Sequence, residues 1–448
     1  DTVAMIRAGE IETNRITKTV LVVDEAQDMN KDEYELVKAL MEVNEEMKVI
    51  LVGDDDQNIY GFRGADSYYM QTLIEQHHAV KYELTENYRS KPEIVQFANK
   101  WAETISRRLK SQPGFPVQQT SGQVSVTQHN GNKLIVPIVN AILSASLQGT
   151  TAVLTRNNDE AMLVNGLLNK SKIPARRIQS LDSFPLSALY EIRYFSDLVL
   201  ADPDSPVISN EQWQEAMRKI KIHARESQQL DLVLKLMKDF ESVNSQRKYK
   251  SDWQSYLRES RLEDFVHADS ETVIVGTIHK AKGKEFDNVF VLLSGLDTSI
   301  DEDKRVLYVA ITRARSNLKI HYTGNFLKSI ASQPLQYQTD PKSYEDPEVI
   351  STSLTHKDVV LGFFADKQNL INNIFSGAKL NFYEGGLCNS RNQRLVMFSK
   401  AFKLKLDAYQ KNGYRTLSAK AGFIVYWTDK ITGNESRIIL PEIDLIRE

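Results

Sequence analysis

Apolar residues along this 448-residue chain come in short bursts rather than long runs. Val20-Leu21-Val22-Val23 is a β-branched burst ending in Asp24-Glu25, the pattern of a buried parallel strand. From Lys31 to about Glu46, Tyr34, Val37, Leu40 and Met41 recur at helical spacing on one face. Val49-Ile50-Leu51-Val52 predicts a second buried strand, running into Gly53 and three aspartates. Val80 to Leu84 predicts a third, followed by a helix from about Lys91 to Arg108. Strands alternating with helices imply a doubly wound α/β lobe. Gln112-Pro113-Gly114-Phe115-Pro116 then reads as a hinge.

The alternation resumes at Val124-Val126, Thr151-Leu154, Val273-Val275, Val289-Leu292 and Leu318-Ile320. Between about Asp202 and Asp269 the pattern is helical and polar, which predicts an all-α insertion into a second α/β lobe. The stretch from Gln333 to Pro347, bearing Pro and Asp, reads as a linker. Beyond it, Phe423-Ile424-Val425-Tyr426-Trp427 and Ile438-Ile439-Leu440 are β-branched and aromatic, so a small β-rich domain is expected at 345–448. The chain is too long for one core and should divide into two to four domains.

Composition adjusts this picture only slightly. Hydrophobic residues at 41% and charged residues at 26% are ordinary for a soluble globular protein. No run of eighteen or more apolar residues occurs, so no membrane contact is expected. The single cysteine, Cys388, excludes an internal disulfide framework and fits a reducing, cytoplasmic setting. A net charge of -3 argues against a wholly basic coat but leaves room for a local cationic groove. The opening Asp1-Thr2-Val3-Ala4 carries neither an initiator Met nor a signal-peptide pattern and reads as a cut end.

Five segments carry candidate chemistry. Asp24-Glu25-Ala26-Gln27-Asp28 has the form of a strand end that offers one carboxylate to a nucleotide's magnesium and the next to an attacking water. Taken alone, the same pair is as readily a solvated strand end. Gly53-Asp54-Asp55-Asp56-Gln57-Asn58-Ile59-Tyr60-Gly61-Phe62-Arg63-Gly64-Ala65 holds three aspartates that repel each other and serve no core. Its Gln57 can bond a terminal phosphate, while Tyr60, Phe62 and Arg63 interleave rings and a cation as base-stacking surfaces do. Leu84-Thr85-Glu86-Asn87-Tyr88-Arg89-Ser90 and Val306-Leu307-Tyr308-Val309-Ala310-Ile311-Thr312-Arg313-Ala314-Arg315 supply arginines able to neutralise a γ-phosphate. Thr277-Ile278-His279-Lys280-Ala281-Lys282-Gly283-Lys284-Glu285-Phe286 suits phosphate-backbone contacts, with Glu285 able to accept from a ribose hydroxyl.

In this order, the five segments resemble motifs II to VI of superfamily 1 helicases of the UvrD/Rep/PcrA type, over about Thr19 to Tyr322. The resemblance implies an α/β fold of two RecA-like P-loop NTPase lobes, the first incomplete. It assigns 1–111 to the first lobe, 112–201 and 270–335 to the second, and 202–269 to a short helical insertion. The tail 345–448 is loosely similar to Tudor- or SH3-like appendages that dock a protein partner. The implied cofactors are ATP and Mg2+, with Asp24 facing the magnesium, Glu25 the water and Gln57 the γ-phosphate. Arg89 and Arg313 would be arginine fingers, Tyr88 would stack on adenine, and Glu285 and Gly283 would lie at the nucleotide. Tyr60, Phe62, Arg63, Thr277, His279 and Lys282 would track single-stranded DNA or a single-strand/duplex junction. The implied activity is 3′→5′ helicase or translocase action in DNA repair or recombination.

Two departures qualify that expectation. No G-x-x-x-x-G-K-[ST] loop occurs in these residues, so the chain alone is expected to be inactive towards ATP. The insertion is also short and lacks the family's Gly-Ile-Gly hairpin. The alternative reading is a non-catalytic DNA-binding or scaffold protein derived from such a motor.

Overall fold

The computed structural model describes residues 2–44, 46–178, 181, 184–265, 270–330 and 335–447. Two compact units emerge. The first joins Asp1–Arg156 to Thr277–Tyr344, and the second joins Asn157–Gly276 to Glu345–Glu448.

In the first unit, strands Val20–Val23 and Lys48–Leu51 pair in parallel. They are not buried on both faces, as their apolar runs predicted. Leu21, Val23 and Leu51 pack on Ala26, Met29, Tyr34, Val37 and Leu73, whereas Val22 is 58% exposed. Helices Lys31–Glu42 and Ser67–Gln76 cover one side, and the two-residue period of a strand turns alternate side chains to the other. The helix at Lys31–Glu42 stops short of Glu46, and its start is fixed by a reciprocal cap between Asn30 and Glu33.

Residues 80–84 do not form the expected strand. Val80, Tyr82 and Leu84 all point outward, Leu84 being 95% exposed. Pairing begins instead at Glu86–Asn87, which lies parallel to Phe115–Pro116. The predicted hinge is therefore pinned: Asn99 brackets Gly114, its Nδ2 donating to the glycine carbonyl (2.8 Å) and its Oδ1 accepting from the glycine N–H (3.0 Å). The helix following motif IV is shorter than expected, Pro92–Ala102, with the proline at its first turn.

The remainder of the first unit is a wholly parallel sheet. Its strands run, side by side, Leu335–Asp340, Gln123–His129, Ala314–Thr323, Phe286–Leu293 and Thr151–Thr155. The apolar bursts read from the sequence sit inside these strands and are buried. The stretch read as a linker contributes an edge strand, Leu335–Asp340. Its polar residues hid it: none of them is buried, and the strand is held by its parallel pairing with Gln123–His129 at the edge of the sheet. Tyr337 supplies the anchor, donating to Gln128 Oε1 at 2.8 Å.

In the second unit, Val273–Thr277 pairs in parallel with Ala175–Arg177. Helices Asn210–His223, Leu230–Val243 and Lys250–Glu259 follow helix Tyr190–Val199, joined by one short strand pair, Val207–Ile208 with Lys248–Tyr249. Their core is aromatic: the Trp213 ring lies 4.9 Å from Phe195, 5.4 Å from Phe240 and 5.5 Å from Trp253. Residues 266–269 of the expected insertion lie outside the described residues.

The C-terminal part is a six-stranded antiparallel sheet. Its order is Val349–Ser353, Glu435–Arg447, Tyr414–Thr428, Lys379–Tyr383, Gly386–Cys388 and Arg394–Met397. Helix Lys400–Lys411 lies in the same chain segment. Among the described residues no helix is long and apolar enough to cross a membrane.

The aromatic cluster sets a stability prediction. Trp213→Ala removes a fully buried ring and should cost about 3–5 kcal/mol by denaturant unfolding. Ile431→Ala, on an almost fully exposed turn, should stay within about 0.5 kcal/mol. Equal costs at the two positions would show that the ring cluster does not hold the helices together.

Candidate active site

All five motif segments lie in the first unit. Strand Val20–Val23 delivers Asp24 and Glu25 to its C-terminal end, both exposed. Glu25 has φ 50° and ψ 37°, a left-handed conformation rare for a residue with a side chain and a mark of stored strain. Gln27 holds it there. The buried Gln27 amide donates to Glu25 Oε2 at 2.5 Å and accepts at Oε1 from the Asp54 N–H at 3.0 Å. Its carbonyl accepts from Asn58 Nδ2 at 2.7 Å. This close approach requires Gly53, where a Cβ would sit 2.5 Å from Gln27 Oε1.

The aspartate run does serve a core, against expectation. Asp55 and Asp56 are buried, and cations from residues 108–110 offset their repulsion. Arg108 forks onto Asp56 at 2.8 and 2.7 Å, and Lys110 lies 3.1 Å from Asp56 and 2.6 Å from Asp54. Asp55 accepts from the Leu109 N–H at 2.6 Å. The neighbours consequently shift in opposite directions. Burial raises Asp55 above the ordinary carboxylate value, whereas at Asp56 burial is outweighed by the Arg108 bonds and the Lys110 charge, and the group falls below it. Only charge complementarity to the aspartates signalled Arg108 and Lys110 in the sequence.

The run positions Gln57. Its Nε2 donates to Asp54 Oδ2 (2.9 Å), and its Oε1 accepts from Arg313 Nη2 (2.8 Å). Arg313 is 1% exposed, and its other hydrogen bonds go to the Val309 and Lys284 carbonyls and the Thr312 hydroxyl. All four acceptors are neutral. Burial, with Arg89 nearby, pulls the guanidinium down to about 10, so it keeps its charge at neutral pH.

Arg89 and Glu285 converge on the same region. Arg89 pairs with Glu285 and donates to the Thr312 carbonyl at 3.2 Å. Arg315, quoted in motif VI but given no role, also pairs with Glu285. Burial alone raises the Glu285 carboxyl, yet the Arg315 and Arg89 bonds outweigh it and hold the group below its ordinary value. Tyr88 is largely exposed, its hydroxyl on Glu86. Gly283 has φ 78°, a backbone only glycine adopts freely, and it lets the Lys282–Glu285 turn close.

Lys282, expected at DNA, faces inward. Its side chain is 8% exposed; the ammonium meets Asp28 Oδ2 at 2.5 Å, the Gln57 carbonyl at 3.0 Å and Glu25 Oε2 at 3.6 Å. Thr277 is buried as well, its hydroxyl accepting from the Lys280 N–H at 3.4 Å. The remaining four expected contacts form one cluster. The Phe62 ring is 6.0 Å from Tyr60 and 5.8 Å from His279, and Arg63 lies 5.2 and 5.6 Å over the Tyr60 and Phe62 rings. Phe62 is 68% exposed. Burial lowers His279, which leaves it neutral at pH 7.

With this geometry in view, comparison with known proteins is decisive. The UvrD-like helicase C-terminal domain matches residues 82–209 and 207–325, more than half of the chain, and the UvrD/REP helicase N-terminal domain matches 11–78. The chain belongs to the UvrD-like helicase family. It is 23% identical over 413 residues to DNA helicase II of Haemophilus influenzae, covering 67% of this chain and 55% of that protein. It is 30% identical over 160 residues to the ATP-dependent DNA helicase Rep of Escherichia coli, covering 34% and 24%. PcrA of Staphylococcus epidermidis is 32% identical over 160 residues, covering 34% and 21%. The chain thus spans about half the length, or less, of these relatives.

The buried ion-pair core beneath Gln57 yields a prediction. Arg108→Met leaves Asp56 buried with Lys110 alone and should cost about 3 kcal/mol. The Asp56 contribution is present above the unfolded value of 3.8 and lost as pH falls through its lower folded value. The Arg108→Met deficit should therefore persist from neutral pH to about pH 4 and shrink below it in urea titrations. A cost under about 0.5 kcal/mol at neutral pH would mean that solvent screens the pair.

Proposed function

We propose that this chain forms most of the motor of an ATP-driven DNA helicase or translocase that moves 3′→5′, working between two RecA-like lobes. One observation carries the reading: Arg313 is a charged guanidinium buried among neutral acceptors, touching Gln57. A cation desolvated without a carboxylate is poised for an anion that arrives and leaves. The γ-phosphate of a nucleotide suits it, because Gln57, Arg89 and Arg313 can together meet charge spreading over the transferring oxygens.

The donor set fits a magnesium nucleotide. Among the described residues no three His, Cys, Asp or Glu side chains form a metal-holding group. Two exposed carboxylates at a strand end suit a cation that arrives with its phosphates. A bound magnesium nucleotide supplies the phosphoanhydride to be cleaved. Asp24 would face the metal, and Glu25, held by Gln27, would accept a proton from the attacking water. Tyr88 offers an exposed ring to adenine. Glu285 exchanges its arginine partners for a ribose hydroxyl, which frees Arg89.

Single-stranded DNA is the proposed track, across Phe62, Tyr60, Arg63 and His279. The exposed Phe62 ring, backed by the half-buried Tyr60 and His279 and joined by the Arg63 cation, supports stacking on unpaired bases. Lys282 instead neutralises the acidic side of the catalytic pocket in this conformation.

Two measurements test this reading. Phe62→Ala should weaken single-strand binding by about 1–3 kcal/mol at low salt, and unchanged affinity would make Phe62 a packing residue. The second uses this chain continued upstream by a Walker A segment. There Arg313→Ala should lower kcat by roughly 10³–10⁵-fold with little change in nucleotide affinity. Tyr88→Ala should do the reverse, since adenine is held alike in ground and transition states. A near-normal kcat for Arg313→Ala would overturn the arginine-finger assignment.

A further inference from the structure

Charge is distributed very unevenly along this chain. Residues 367–420 hold ten Lys and Arg against two Asp and Glu, whereas the whole protein has a net charge of -3. This segment lies entirely in the second unit, whereas every helicase motif belongs to the first. Three of its cations are satisfied locally: Lys405 by Asp159 (3.5 Å), Lys420 by Glu442 (3.0 Å) and Arg394 by Glu384 (3.0 Å). Lys379, Arg391, Lys400, Lys403 and Lys411 are exposed and carry no ion pair among the described residues.

The fold gathers these cations. Helix Lys400–Lys411 places Lys400, Lys403 and Lys411 along one exposed stripe, at helical spacings of three and eight residues, with a single carboxylate, the exposed Asp407, one turn from both Lys403 and Lys411. The stripe rises about 16 Å at 1.5 Å per residue. The helix begins beside the turn between strands Lys379–Tyr383 and Gly386–Cys388. A Cβ at Gly385 would lie 2.9 Å from Lys403 Cε, and the Phe398 N–H donates to the Gly385 carbonyl at 3.1 Å. In the first of these strands Lys379, Asn381 and Tyr383 share the exposed face. The Arg394 guanidinium lies over the Tyr383 ring at 5.3 Å.

We infer that this face binds the phosphate backbone of duplex DNA. Unpaired ammonium groups held at fixed spacing repel each other, and a polyanion of regular charge density relieves that repulsion. The stripe spans about five base pairs at 3.4 Å each. The helix offers no exposed ring along it, for Phe402 is buried and Tyr409 half-buried. Its contacts are therefore to phosphates rather than to unstacked bases, which favours a duplex over a single strand. This surface belongs to the second unit and the Phe62 cluster to the first, and binding to it does not depend on nucleotide hydrolysis.

The test measures binding of the full chain to a labelled 20-base-pair DNA duplex, a 20-nucleotide single strand and poly-glutamate across a salt series. Exchanging Lys400, Lys403 and Lys411 together for Ala should weaken duplex binding at least tenfold at low salt. The log–log salt slope should fall by roughly 2–3, since each lost phosphate contact removes about 0.9. Single-strand affinity, read through the Phe62 cluster, should stay within about twofold. Circular dichroism and the unfolding midpoint should be unchanged, these lysines being exposed. Unchanged duplex affinity and slope in the triple variant would overturn the inference. So would poly-glutamate binding at or above duplex affinity at matched salt, which would assign the face to an acidic protein.

Discussion

A buried guanidinium without a carboxylate is the constraint on which this molecule turns. Desolvating Arg313 is costly, and four neutral oxygens only partly repay it. Those oxygens come from its own helix, from the turn around Gly283, and from Gln57 on a distant loop. Each must be held in place for the charge to be tolerated, so three segments far apart in sequence become one structure. The cation stays charged with no carboxylate hydrogen-bonded to it, Asp54 and Glu25 acting only from a distance, a state useful to a protein that must recognise an anion transiently.

The segments around it are built to hold Gln57 still. Arg108 and Lys110 neutralise the aspartates beneath it, and Gln27 ties the strand end at Glu25 to the same loop. Gly53 is the small residue that lets these loops touch. The cost of this arrangement is visible as local strain at Glu25 and as opposite shifts at two adjacent aspartates. Strain and perturbed carboxylates concentrated in one place are the marks of a site rather than of a scaffold. The second unit carries its own interior of rings packed largely edge to face, and a helix with a row of exposed lysines that the chain's slight net negative charge conceals.

Much of the fold was legible from local pattern. The bursts at 151–154 and 289–292 are continuous because parallel strands buried on both faces leave little room for polar side chains at any position, whereas those at 124–126 and 318–320 are interrupted by the half-buried Ser125 and Lys319. The helical stretch after residue 202 and the β-rich tail declared themselves by period and by β-branched content. The failures were equally local. Residues 80–84 have the alternation of a strand, yet an apolar pattern cannot say whether a neighbouring strand is available to pair. Residues 335–340 are polar enough to resemble a linker, yet an edge strand with a single tyrosine anchor can join a sheet. Arg108 and Lys110 gave no periodic or motif signal, because their partners lie in another segment, and Gln27 sat inside a motif without showing that it would bind Asp54 and Asn58 of the next loop.

The sequence by itself determined the family, since motif order and residue type are properties of the chain: carboxylates after a strand, a glutamine after an acidic run, arginines at two helix-associated sites. It also determined which stretches would be strand or helix wherever one face had to be buried. Only the tertiary structure decided what each polar side chain does. The aspartate run became a neutralised core, Lys282 turned from solvent to the acidic pocket, and Arg313 was stripped of water. The physical reason is that solvation and charge pairing are set by atoms brought within a few ångströms from remote parts of the chain, whereas secondary structure is set by neighbours along it.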